Sequence, residues 1–155
     1  MNRLLLIVLA PLLLWGCAAT GPAFKPAAAP KDDQVLLYVY WPETSAFGMR
    51  TATIGLDGTP IAELGYKGYT VLYTAPGPHR ITQLFKPWPG DATEVKRELS
   101  ISLNTQPGRI YFVEFRTSTA PAPGGTRIQW ALGAVSEAKG TQGIAECRYQ
   151  PPLAK

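Results

Sequence analysis

Histidine and cysteine are nearly absent from this chain: among 155 residues there is one histidine, His79, and there are two cysteines, Cys17 and Cys147. A zinc site built around one imidazole has to lean on carboxylates, and the only acidic pair with suitable spacing is Asp32-Asp33, in a stretch that reads as solvated. No metal and no cofactor is therefore expected. The chain also lacks a Gly-x-Ser-x-Gly elbow, a His-Glu-x-x-His pair, a phosphate loop and a dinucleotide fingerprint, so no catalytic residue is assigned. Basic residues stand singly apart from Lys96-Arg97, which leaves no run to track phosphates and makes nucleic acid an unexpected partner. Long apolar runs are missing as well. The one candidate, Leu4 to Leu14, reaches only about 16 Å as a helix, roughly half a bilayer's hydrocarbon core.

That short run is informative. Asn2 and Arg3 form a cationic start, and no polar side chain interrupts residues 4–14, which is the pattern of a signal-peptide core rather than of a buried amphipathic helix. Two cleavages compete after it. Leu14-Trp15-Gly16-Cys17 resembles the lipobox of bacterial lipoproteins, with Trp15 in a place that usually holds a small residue. In that reading residues 1–16 are removed and Cys17 becomes a lipidated first residue. Alternatively, an ordinary signal peptidase uses the small residues at 17 and 19 and cuts after Ala19, discarding Cys17. The lipobox is favoured, because an exported chain with two cysteines seldom places one at this point by chance. What the resemblance then implies is a membrane partner through two or three acyl chains. With Ala18, not aspartate, after the cysteine, it further implies the outer membrane, facing the periplasm. The processed chain would carry 14 basic and 11 acidic side chains, a net charge of +3. Cys147 would have no disulfide partner and is expected either as a buried small hydrophobe or as a reactive thiol.

Residues 17–34 are rich in Ala and Pro without a hydrophobic period, the composition of a semi-extended tether that spans up to about 3 Å per residue. A single domain is expected over residues 35–150, with a tail at 151–155. Its texture is of short β-type runs between turn residues. Val35 to Tyr40 is apolar on both faces, like a central strand. Runs at 51–56 and 61–64 flank Asp57-Gly58, the pair that favours a tight hairpin. A strand at 69–73 is expected to pair antiparallel with one at 79–85, followed by alternating Glu94 to Leu103 and then runs at 109–116 and 127–135. The total is an all-β antiparallel sandwich of about eight strands. Only Ser136 to Cys147 is left for a short, poor helix, because it contains Gly140 and Gly143.

The stretches QVLLYVYWPE, IGLDGTPIAEL, GYTVLYTAPGPHRI and GRIYFVEF resemble a family of small bacterial lipoproteins catalogued as domain of unknown function 2846, with Trp41 standing where that family usually has arginine. The resemblance spans roughly residues 34–147. It implies a transthyretin-like or immunoglobulin-like sandwich and brings no assigned activity and no catalytic residue.

The remaining candidates are single residues. His79, after a Pro-Gly-Pro turn, reads as a turn-capping or strand-start histidine, with a general base as the alternative. Glu114, between Val113 and Phe115, reads as a residue on a solvated face. A hydrolase would need Glu114, His79 or Cys147 to converge in one cleft. Most aromatics are expected in the core, but Trp88 sits on the proline-stiffened Lys86-Pro87-Trp88-Pro89-Gly90 loop, where it either covers the open end or anchors a partner. Trp88 and Tyr66 are the candidate contacts to an envelope protein or a cell-wall glycan, and a coplanar exposed pair would favour the glycan. The functional expectation is a non-enzymatic binding or structural module at the cell envelope, with a glycan-binding accessory domain as the alternative. The sequence leaves the oligomeric state open.

Overall fold

The computed structural model describes residues 19–42, 48–91, 93 and 95–154. Two sheets form a sandwich. In chain order the strands are β1 (Val35–Tyr40), β2 (Ala52–Leu56), β3 (Thr59–Leu64), β4 (Gly68–Thr74), β5 (Gly77–Phe85), β6 (Leu99–Thr105), β7 (Ile110–Ala122) and β8 (Gly125–Val135), then helix α1 (Glu137–Ile144) and a short β9 (Arg148–Tyr149). One sheet has the order β8-β7-β1-β4-β9 and the other β3-β2-β5-β6.

The tight turn between β2 and β3 is formed as its residues require, with Asp57 and Gly58 both at positive φ, 51° and 82°. Two pairings depart from the expected antiparallel scheme. β1 runs parallel to β7, and β4 runs parallel to β9. β4 and β5 do not form a hairpin either. β4 pairs with β1, whereas β5 pairs with β2 and β6, so the Pro-Gly-Pro turn carries the chain from one sheet to the other. The run starting at Glu94 enters the ladder only at Leu99, and Glu94 itself lies outside the described residues.

Strand β1 is buried along its whole length because its sheet is covered on both faces. Leu37 and Val39 face the other sheet and pack with Ile54, Leu64, Ile81 and Val113. Leu36, Tyr38 and Tyr40 point the opposite way, into a second cluster with Tyr69, Phe112, Ile144 and Cys147. Helix α1, capped where the Ser136 hydroxyl accepts the Lys139 N–H, covers part of this outer face. Its glycines are what let it lie there: a Cβ on Gly140 would collide with Phe112, and one on Gly143 with Tyr40.

The rest of the outer face is covered by the segment expected to be a tether. Residues 19–34 have no strand of their own, yet they are laid along the domain rather than standing it off. Phe24 meets Tyr38 and Tyr69 edge-on at centroid distances of 5.8 and 5.4 Å. The Ala27 N–H donates to the Tyr38 hydroxyl, and the Tyr73 hydroxyl donates to the Ala28 carbonyl, each at 2.8 Å. Ala23 bridges to Arg148, and the Tyr149 N–H donates to the Pro22 carbonyl. One aromatic side chain and a line of backbone bonds thus turn an Ala/Pro-rich stretch into a strap. The tail is tied down too, through the Leu153 N–H and the Ile61 carbonyl.

Candidate functional site

One end of the sandwich gathers the candidate contact residues. β1 ends there, and the Trp41 N–H donates to the Gly68 carbonyl at 2.9 Å. The loop from β3 to β4 carries Tyr66 and Lys67, with Lys67 at φ 55°. Gln150 holds this loop by accepting the Gly65 N–H through its side-chain oxygen at 2.8 Å. The strap begins at the same place, since the Ala19 N–H donates to the Tyr66 carbonyl at 2.8 Å. Cys17 and the 1–16 signal segment lie outside the described residues.

Beside this loop is a cationic clamp that no sequence pattern signalled. Arg50 is 4 % exposed and bonds Asp91 through both guanidinium nitrogens, Nη1 to Oδ1 at 2.6 Å and Nη2 to Oδ2 at 2.9 Å. Nη2 also donates to the Lys86 carbonyl at 2.6 Å. The guanidinium lies 5.2 Å from the Phe85 ring centroid and 4.9 Å from that of Trp88. Hydrogen bonds from Arg50 and then from the Trp88 N–H hold the Asp91 carboxyl down at about 2. Trp88 is therefore placed on its loop by a salt bridge beneath it, and it remains 47 % exposed. Met49, next to the clamp, is 69 % exposed. Tyr66 is half-buried and lies near its neighbour Lys67, with Nζ 5.8 Å from the ring centroid, while Lys67 pairs with Glu146 at 3.3 Å. Trp88 and Tyr66 share the end but face different cations, and among the described residues no ring contact joins them.

The long hairpin also reaches this end. Glu114 of β7 stands opposite Tyr40, the last residue of β1, and β7 then continues for residues 115–122 before β8 returns. At its root a groove of about 660 Å³ is lined by Arg97, Arg116, Ser118, Gln129 and Trp130 among others. Nothing in the alternation of the strands points to this groove, because it forms only where the hairpin of β7 and β8 meets Arg97 from the loop before β6.

His79, Glu114 and Cys147 are not brought together. His79 lies at the opposite end, with Nδ1 2.7 Å from Asp57 Oδ2 and Nε2 2.7 Å from the Ala75 carbonyl, the turn-capping role read from sequence. Burial works against its charge, but the hydrogen bonds to Ala75 and Asp57 outweigh it and raise its pKa. Glu114 is not on a solvated face. Its side chain is 8 % exposed and is held by Arg116 Nε at 2.9 Å and Lys139 Nζ at 3.4 Å, because the outer face it points to is roofed by α1. The Cys147 thiol is buried, with Sγ 3.8 Å from the carbonyls of Trp41 and Gly143, and burial pushes its pKa up to about 12. It is the buried small hydrophobe of the two expectations. Among the described residues no three His, Cys, Asp or Glu side chains are grouped to hold a metal, and no helix is long and apolar enough to cross a membrane. Compared with known proteins, the chain matches no protein-family model, no curated protein and no solved structure.

Proposed function

We propose that this protein is a lipid-anchored envelope lipoprotein of the kind its strand motifs resemble, acting as a non-enzymatic binding or structural module. Acyl chains on Cys17 would hold it to the outer membrane, facing the periplasm. Each buried methylene contributes about 0.8 kcal/mol, and two or three chains together make a stable anchor where one does not.

The observation that carries this reading is the position of Leu14-Trp15-Gly16-Cys17 between an apolar run and a chain already docked on the domain by residue 19. A cut before Cys17 keeps the hydrogen bond from Ala19 to Tyr66 in the finished protein. A cut after Ala19 removes it. The docked strap therefore favours the first of the two cleavages. The test is Cys17→Ser expressed in the native host with a labelled fatty acid: the wild type should incorporate label and the variant should remain unprocessed and unlabelled, whereas normal labelling of the variant would end the anchor reading.

A second reading, a glycan-binding accessory domain, is favoured by the groove beside Trp130, where an indole and two guanidiniums line one cleft. Titration of soluble cell-wall fragments against wild type and Trp130→Ala separates the two, since this reading requires saturable binding that the variant weakens.

A further inference from the structure

We propose that the end of the sandwich bearing Met49, Tyr66 and Trp88, together with the tip of the β7–β8 hairpin, rests in the headgroup layer of the membrane that holds Cys17. This rests on the lipid-anchor reading of Cys17 and adds to it an orientation and a contact surface.

Chain length fixes the distance. Ala19 is pinned to the Tyr66 carbonyl, and only two peptide units separate it from Cys17, which is at most about 7 Å of chain. Had residues 17–34 been free, the same anchor would have let the domain drift by tens of ångströms and tumble. The strap removes that freedom, so the Tyr66 end is the part of the domain that an acylated Cys17 draws onto the bilayer.

The chemistry of the two ends differs in the matching sense. At the anchor end Met49 and Trp88 are, among the described residues, the most exposed large apolar side chains of the loops, at 69 % and 47 %. Aromatic side chains with one apolar and one polar edge are those that settle at headgroup level. Among the described residues the neighbouring charges are paired, Lys67 with Glu146, Lys86 with Glu63 and Arg50 with Asp91, so each of these carboxylates meets lipid with a cation beside it. The hairpin extends in the same direction. Residues 115–122 continue past the end of β1 for about 26 Å of strand. From Thr117 to Thr126 the hairpin contains no charged residue, and it is bounded by Arg116 and Arg127. In the hairpin register Arg127 stands opposite Ala120 and Arg116 opposite Ala131, so the uncharged tip proper is residues 121–126, and the two arginines follow it at successive levels, an order that suits a tip resting at the level of the lipid phosphates. The opposite end carries Asp57 in its hairpin turn, with Asp32 and Asp33 exposed in the turn before β1.

The experiment uses the full acylated protein in phosphatidylethanolamine and phosphatidylglycerol vesicles containing a nitroxide-headgroup lipid. Bimane is attached at Pro123→Cys or Met49→Cys, both exposed, and at Asn104→Cys, an exposed control on β6 towards the far end. Cys147 is buried and resists labelling in the folded protein. Intact mass is recorded on every sample. The expected result is several-fold stronger quenching at 123 and 49 than at 104. Acylated protein with equal, weak quenching at all three positions would overturn the orientation and leave the anchor intact. A mass without acyl chains would overturn both.

Discussion

Replacing Phe24 with alanine should destabilise this domain by about 2 kcal/mol, although the residue belongs to a stretch whose composition is that of a linker. The magnitude follows from its surroundings. Truncating a fully buried phenylalanine costs about 3–5 kcal/mol, and Phe24 is only half-buried, which brings the burial part to roughly 1.5 kcal/mol. Its two edge-on contacts, with Tyr38 at 5.8 Å and Tyr69 at 5.4 Å, add about 0.5 kcal/mol or more. Urea unfolding followed by tyrosine and tryptophan fluorescence reads the change as a lower midpoint at unchanged slope. Lys31→Ala, exposed on the same strap, is the control and should shift stability by no more than about 0.5 kcal/mol. If Phe24→Ala also moves stability by less than about 0.5 kcal/mol, the strap does not hold the outer face, and the short distance from Cys17 to the domain loses its basis.

Three further outcomes follow from the same geometry. With its thiol pushed up to about 12 by burial, Cys147 should resist iodoacetamide at pH 8 in the folded protein and react fully in denaturant; rapid labelling of native protein would contradict its packing. Because the pKa of His79 is raised on folding, the stability it contributes should be complete below about pH 6.5 and should fade as pH rises through its raised value. His79→Gln should abolish that slope, and an unchanged pH profile in the variant would show that the contacts with Asp57 and Ala75 do not hold a charged ring. Trp88→Ala should cost about 1 kcal/mol, the scale of a half-exposed ring over a guanidinium, and a loss of 3 kcal/mol or more in a melting series would mean that Trp88 is core.

Local chemistry carried much of the fold. The Asp57-Gly58 turn, the double-faced apolar run of β1 and the alternation in β6 are all signals confined to a few residues, and each appears where those residues stand. The pairings that sequence reading missed are non-local. Whether the strand after Pro78 pairs with its predecessor or crosses to another sheet depends on what covers β2, and β1 beside β7 joins residues more than seventy positions apart. The strap escaped notice because its hold comes from backbone bonds and one ring, neither of which leaves a period in the sequence. Glu114 differs from its sequence expectation for a related reason: alternation puts it opposite the inter-sheet core, but the helix that roofs that second face comes from a glycine-containing segment with weak helix signals of its own. Arg50 shows the limit at the site itself. A lone arginine ahead of a strand carries no mark that it will be buried against Asp91 and set beneath Trp88.

The most direct test of the central claim is the intact mass of the protein extracted from membranes of its native host, with a thiol count on the denatured chain. Lipid anchoring predicts a chain starting at Cys17 with added acyl mass and a single free thiol, that of Cys147. A chain starting at Thr20 with no lipid would contradict it and leave a periplasmic domain without an anchor.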